Sequence, residues 1–201
     1  MRVAVLVGGV GRRIGREKTE VSVCGRKLIE IAIEKYSDYD TIFVCRDEEQ
    51  LKRLSEKYDC RFVTDVYKNF GSIAGIHAAL QHFEDCIVTA IDMPFVKKAV
   101  IEHLYEKGRE LRCDALLPAH DRGYEPLLAY YSRSAADEME RAIKSGVKMI
   151  IKPLERLNTV YYPVDNLRKF DKNLLSLFNI NTKEDLERAE RLCSEIGTGE
   201  L

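Results

Sequence analysis

The chain predicts an α/β fold built on a parallel sheet, and three observations carry that prediction. Apolar runs alternate with segments of helical period over residues 1–118, the rhythm of right-handed βαβ units. The runs are continuous rather than alternately polar, as strands covered on both faces are. Directly after the runs stand Gly8 to Lys18, Arg46-Asp47, Asp65 and Asp92, so glycine and polar residues converge on one edge of the sheet. A doubly wound sheet binds its ligand at that edge, outside the carboxyl ends of the strands where the strand order reverses.

The elements can be taken in chain order. Val3-Ala4-Val5-Leu6-Val7 is the first strand, and Gly8-Gly9-Val10-Gly11 with Arg12, Arg13, Arg16 and Lys18 is the loop behind it. Leu28, Ile29, Ile31, Ala32, Ile33 and Tyr36 recur at helical spacing and give a helix ending near Ser37-Asp38. Thr41 to Cys45 is the second strand, Glu48 to Lys57 a charged amphipathic helix, and Arg61 to Thr64 a third strand closed by Asp65. Gly71-Ser72 opens a helix carrying Ile73, Ile76, Ala79 and Leu80. Cys86 to Ile91 is the fourth strand and ends at Asp92. Pro94 suits the first turn of a helix running to about Arg109, and Ala115-Leu116-Leu117 is the fifth strand. Beyond it the rhythm changes. Leu127 to Tyr131 and Asn158 to Tyr162 read as strands, with a helix from Ser132 to Lys144 between them. A last helix runs from Thr182 to Cys193, its start marked by Thr182 and Asp185 at capping-box spacing.

Composition narrows the class. With 201 residues, 45% hydrophobic and 32% charged, the chain has the length of one domain around one core. A formal net charge of −1 lacks the basic excess of a nucleic-acid binder, so the arginine and lysine cluster near the start reads as a local site. No apolar stretch approaches the ~18 residues of a membrane span, and the first apolar run is too short for a signal-peptide core; a cytoplasmic protein is expected. The six cysteines (Cys24, Cys45, Cys60, Cys86, Cys113, Cys193) show no C-x-x-C pair and read as small buried hydrophobes.

The glycine loop points to phosphate. Glycine lets a backbone approach a ligand closely, and cations behind it supply charge for an anion. The string from Gly8 to Gly15 misses the dinucleotide fingerprint by one residue at its third glycine, and no glycine directly precedes Lys18 as a Walker loop requires. A tight turn with solvated arginines is the plain alternative. Asp92 ends a buried strand two residues before Pro94, a position capping explains poorly, and a carboxylate there suits Mg²⁺ held with phosphate oxygens. Asp65 fits a turn as well as a ligand contact. His77, His82, His103 and His120 form no triad-like or metal-like spacing. Phosphate donors and one carboxylate without an evident nucleophile suit phosphoryl or nucleotidyl transfer, whose transition state needs positioning and charge neutralisation above all.

At these residues the sequence resembles the molybdenum cofactor guanylyltransferases, the nucleotidyltransferases of the MobA type. The stretches are VLVGGVGRRIGREK from Val5, FGSIAGIHAAL from Phe70, AIDMPFV from Ala90, FNINTKEDL from Phe178 and, less closely, DRGYEPLLAYY from Asp121. The resemblance implies a three-layer α/β/α fold with a mostly parallel, Rossmann-like sheet of the nucleotide-diphospho-sugar transferase type. It implies a single domain over 1–201, its N-terminal half mainly nucleotide-binding and its C-terminal half mainly acceptor-binding. The implied reaction moves GMP from GTP to molybdopterin with Mg²⁺ as cofactor, and implies transient contact with other molybdenum cofactor biosynthesis proteins. Leu6, Val7 and Gly8 would line the GTP site, Gly9 and Gly11 would shape the loop, and Asp65 would contact nucleotide. Lys18 and Arg13 would neutralise the triphosphate, Asp92 would hold Mg²⁺, and Asn179 and Asn181 would lie at the acceptor end. Three positions depart from the family pattern: Glu125 stands for a common glutamine before Pro126-Leu127, Arg46 for an asparagine, and Ser72-Ile73 for Pro-Leu. They leave a sister nucleotidyltransferase open, using CTP, adenosylcobinamide phosphate or a sugar phosphate. Two other classes predict different behaviour: a non-catalytic nucleotide carrier would release no pyrophosphate, and an NAD-type oxidoreductase would use Asp47 on ribose.

Overall fold

A seven-strand path sets the order of everything else in the molecule. The computed structural model describes residues 1–196 apart from Arg12 and Asp65. The strands are β1 (Arg2–Leu6), β2 (Ser22–Val23), β3 (Arg26–Lys27), β4 (Asp40–Cys45), β5 (Phe62–Thr64), β6 (Asp85–Ala90), β7 (Ala115–His120), β8 (Gly123–Tyr124), β9 (Leu128–Ser132) and β10 (Thr159–Pro163). The helices are α1 (Leu28–Lys35), α2 (Glu48–Ser55), α3 (Ser72–His82), α4 (Lys98–Leu111), α5 (Ser134–Lys144), α6 (Ile151–Leu154) and α7 (Lys183–Ile196). The main sheet runs β10-β7-β9-β6-β1-β4-β5, with β8 paired to β7. All pairings along it are parallel except those of β9, which runs against both β6 and β7. The expected mostly parallel α/β sheet is the observed one.

Two apolar layers sandwich this sheet. Alternate residues of β1 face opposite ways, so Val3 and Val5 join one core while Ala4 and Leu6 join the other. The first core takes α1, α4 and α7, through residues such as Leu28, Ile29, Ile101, Leu104 and Ala189. The second takes α3, α5 and α6, through Ile73, Ile76, Leu80, Met139 and Leu154. In α4, Gly108 is the residue that lets the helix approach the sheet. A Cβ there would stand 2.3 Å from the Tyr130 ring, so a larger residue would push helix and strand apart.

Three expectations change. The helix after the fourth strand begins at Lys98, not at Pro94. Residues 91–96 are all buried, and no helix lying on a surface can bury six consecutive side chains, so the chain turns through them instead. Turns donated by Met93 to Ala90 O and by Val96 to Met93 O satisfy this segment. Second, a hairpin of β2 and β3 escapes periodicity because each strand has two residues; Cys24 and Gly25 take φ values of 55° and 72° to turn it. Third, Cys24 and Cys193 are not separate small hydrophobes but a disulfide. The pair spans 169 residues of sequence, and only the docking of α7 against the hairpin brings the two together. Cys45, Cys86 and Cys113 are buried free thiols as expected, and burial pushes Cys45 up to about 12, out of the range of a useful nucleophile.

The disulfide fastens α7 to the hairpin behind the glycine loop. Cys193→Ser should lower unfolding stability by about 2–4 kcal/mol. Urea unfolding with and without reductant checks this: reductant should destabilise the parent chain and leave the variant unmoved.

Candidate active site

β1 and β6 are neighbours, parallel and in register, with Leu6 opposite Ala90. The segments behind the two strands therefore emerge side by side at the carboxyl edge. β4 lies on the other side of β1, so the order reverses here, and the crevice of a doubly wound sheet opens at this point. After β1 comes the glycine loop; after β6 comes Asp92.

The loop is shaped by contacts that leave no room for side chains. Gly11 has φ 56°, and a Cβ on it would stand 2.2 Å from the Arg16 carbonyl oxygen. Its carbonyl accepts the amides of Ile14 and Gly15, each at 2.9 Å, closing a tight turn. Lys18 returns to donate its amide to Gly9 O at 3.2 Å, and its side chain then lies across Gly9, where a Cβ would meet Lys18 Cδ at 2.9 Å. Among the described residues nothing accepts the amides of Gly8, Gly9, Val10 and Gly11, and successive amides of this kind form an anion-binding concavity. Val7, by contrast, donates its amide to Val44 O and accepts from Gln50 at its carbonyl, and Leu6 O accepts from Ile91. Leu6 and Val7 hold the loop in place, and the unpaired amides begin at Gly8.

Lys18 Nζ ends in an ion pair with Asp92 and donates to Asn181 Oδ1 at 2.9 Å. Three predicted site residues, up to 163 positions apart, thus meet at one ammonium. Both charged partners are largely withdrawn from solvent, with 13% and 10% of their side chains exposed. The C-terminal segment is held onto this point by its backbone. Ile180 donates to Asp92 O at 2.9 Å, and Phe178 packs edge-on against Phe95. The capping box starts α7: Asp185 accepts from the amides of Asn181 and Thr182, and Thr182 Oγ1 accepts from the Asp185 amide. Arg13 is exposed on the loop and has no ion pair among the described residues. Asp65, expected at the nucleotide, lies outside the described residues.

Other residues brace the site that sequence reasoning did not single out. Glu17 is a hub: Arg46 reaches it at 2.7 Å, Gln50 at 2.6 Å, and Arg53 pairs with it too. Buried Gln50 also grips Val7 O at 3.1 Å, so this cluster fixes the far side of the loop. Asp47 caps α2 through the Gln50 amide, and that bond, followed by Arg46, holds its carboxyl below the usual range. It is an N-cap paired to a cation, which explains it without a ribose. Lys35 is buried and donates to Pro94 O, pinning the turn behind Asp92. Only the fold shows this contact.

The acceptor-side candidates assemble because β9 is antiparallel. β7 ends and β9 begins at the same carboxyl edge, bringing His120 and Glu125 together at 3.4 Å. Burial raises the Glu125 carboxyl above its usual range, against the opposing pull of His120 and Asn179, and the charge of Asp92 raises it further. Among the described residues no group of three His, Cys, Asp or Glu side chains could cage a metal. Asp92 alone beside an anion loop suits a cation held mainly by phosphate oxygens and water, as Mg²⁺ is. The arrangement can bind a polyphosphate, offset its charge and orient a second substrate; among the described residues it offers no triad for covalent catalysis.

Residues 3–159 match the family described as MobA-like NTP transferase domain. A molybdenum cofactor guanylyltransferase of Desulfosudis oleivorans is 35% identical over 194 residues, covering 92% of either chain. A probable molybdenum cofactor guanylyltransferase of Methanosarcina mazei is 34% identical over 196 residues, covering 91% of this chain and 87% of the relative. Among solved structures, molybdopterin-guanine dinucleotide biosynthesis protein A from Archaeoglobus fulgidus is 65% identical, with a TM-score of 0.95 over 98% of this chain and all of that one. A 2-C-methyl-D-erythritol 4-phosphate cytidylyltransferase from Thermus thermophilus, at 13% identity and a TM-score of 0.66, shares the fold.

Lys35 gives this site a pH signature. Burial, helped by the charge of Lys98, lowers its amine to about 7 from an ordinary 10.5. Above pH 7 the unfolded chain therefore holds a proton that the folded chain has shed, so the Lys35 contribution to stability rises with pH until about 10.5. Compared with Lys35→Met, the parent chain should gain on the order of 2–3 kcal/mol between about pH 7 and 9.5, measured by urea unfolding of both. A pH-independent difference would contradict the assignment.

Proposed function

The chain belongs to the MobA-like NTP transferase family and is a nucleotidyltransferase, and from that premise we propose that it transfers GMP from GTP to molybdopterin, releasing pyrophosphate. The observation that carries the reading is the meeting of Lys18, Asp92 and Asn181 beside four loop amides that nothing among the described residues accepts. Amides and cations at one end, and asparagines from a distant segment at the other, supply a place for a triphosphate and a place for an acceptor.

The amides of Gly8 to Gly11 receive phosphate oxygens, and Lys18 and Arg13 offset the triphosphate charge. A phosphate oxygen of molybdopterin attacks the α-phosphorus of GTP in line, the bond to the β-phosphate oxygen breaks, and pyrophosphate leaves with that electron pair. The attacking oxygen is already anionic, so no general base is needed. Asp92 is the residue that would hold Mg²⁺, which when bound neutralises charge on phosphate oxygens. In the chain alone, Lys18 stands against Asp92 as its counter-charge. Asn181 orients the Lys18 ammonium and, with Asn179, faces the acceptor. The N-terminal half then serves mainly the nucleotide and the C-terminal half mainly the acceptor. A cytoplasmic location and transient contact with other enzymes of the same cofactor pathway accompany this reading. No described helix is long and apolar enough to cross a membrane.

Asp92→Asn should cut turnover by about 100-fold or more in a chain that still folds, with an unchanged far-UV spectrum and a lowered thermal midpoint because Lys18 loses its counter-charge. The assay combines GTP, Mg²⁺ and molybdopterin and identifies the dinucleotide product by mass. Undiminished turnover in the variant would remove Asp92 from the metal role, and a product formed only with CTP would reassign the base.

A further inference from the structure

The most informative side chain outside the glycine-loop end is Glu125, a largely withdrawn carboxylate that no lysine or arginine among the described residues neutralises. His120 Nδ1 accepts the backbone amide of Arg122 at 3.1 Å, which leaves the ring proton of the neutral imidazole on Nε2. That Nε2–H faces Glu125 Oε1 at 3.4 Å. Asn179 lies close enough to lower the Glu125 carboxyl, and it gives an amide hydrogen to Leu177 O at 3.2 Å. The carboxylate is thus aimed by His120, with 22% of the side chain open to solvent. Its backbone is fixed too: the Glu125 amide donates to Pro118 O at 2.9 Å, and its carbonyl accepts from Leu128 at 3.2 Å.

The charges at this edge are unevenly shared. Lys18 is engaged with Asp92, and no Lys or Arg is ion-paired to Glu125 among the described residues. A second anion placed against Glu125 would be repelled, so an acceptor's phosphate belongs at the Lys18 and glycine-loop end. The group that faces Glu125 must donate hydrogen bonds. An ionised carboxylate only accepts, through two coplanar oxygens, and its natural complement is a pair of adjacent N–H groups. A glutamine would accept and donate, and would discriminate less.

We propose that Glu125, positioned by His120, is the specificity residue for the acceptor, accepting hydrogen bonds from a paired N–H edge of the kind an aminopyrimidinone ring presents. The inference rests on the nucleotidyl-transfer reading above and adds an orientation to it: the acceptor lies with its phosphate toward Lys18 and its N–H-rich ring toward Glu125.

Glu125→Gln keeps the shape and removes the charge, so it is the deciding variant. With GTP and Mg²⁺ saturating, the KM for molybdopterin should rise about 10-fold or more, as for a lost hydrogen bond to a charged group, while kcat stays within about threefold. Calorimetric affinity for a non-hydrolysable GTP analogue with Mg²⁺, and the thermal midpoint, should match those of the parent chain. Glu125→Asp, which keeps the acceptor-only chemistry, should recover part of the lost KM. An unchanged KM for acceptor overturns the proposal; so does an equal loss of GTP-analogue affinity, which would place Glu125 at the nucleotide, and so does a fall in thermal midpoint that accounts for the activity change. If the parent chain ignores molybdopterin but uses another acceptor, the reading above falls; the same KM comparison then decides Glu125 where that acceptor carries adjacent N–H groups, and an acceptor without them, such as a sugar phosphate, overturns both. No transfer to any acceptor overturns both.

Discussion

The site depends on one constraint, the in-register parallel pairing of β1 with β6. Leu6 opposite Ala90 places the first glycine of the loop beside the turn that carries Asp92. A register shift by one residue would exchange the faces of β1, exposing Val3 and Val5 to the wrong layer. The two apolar cores therefore fix the site geometry without touching a ligand. The energy that sets the distance between glycine loop and carboxylate comes from burial of alternate strand residues, on both faces at once.

Upon that frame, the side chains at the edge are fixed by partners drawn from far along the chain. Lys18 crosses Gly9 to reach Asp92, and Asn181 completes its coordination from the segment before α7. Withdrawing Lys18 and Asp92 from water would be costly for either alone; the pair offsets much of that cost. The same logic governs Lys35, buried against a backbone carbonyl, where no carboxylate among the described residues compensates and the amine weakens as a base. One withdrawn lysine is matched to a carboxylate, and the other only to a carbonyl oxygen.

The strand and helix pattern was legible because burial on both sheet faces writes long apolar runs into the sequence. The glycine loop and Asp92 were legible for a second reason: both come directly after such a run. Features that arise only from tertiary contact were not. Pro94 obeys a local helix-start preference, but six consecutive buried residues overrule it. Cys24 and Cys193 carry no spacing signal, since their pairing needs α7 to dock on a two-residue-strand hairpin. Glu17 stands in the sequence between Arg16 and Lys18, and it is a hub only because α2 brings Arg46, Gln50 and Arg53 to it. A charge flanked by cations inside a loop that must stay fixed is the one hint the sequence held.

The two ends of the crevice are consequently made in different ways. The glycine-loop end is backbone: amides that nothing among the described residues accepts, on a loop clamped by Gln50, Val44 and the sheet. The other end is side chain: His120, Glu125 and Asn179 from three segments, gathered because β9 runs antiparallel and the chain after β10 returns across the edge to Asp92. Backbone amides present the same chemistry whatever the sequence, whereas a side-chain triad changes with a single substitution. A single substitution at Glu125 would therefore change what this edge accepts, whereas the loop amides would keep their chemistry through most substitutions of the loop.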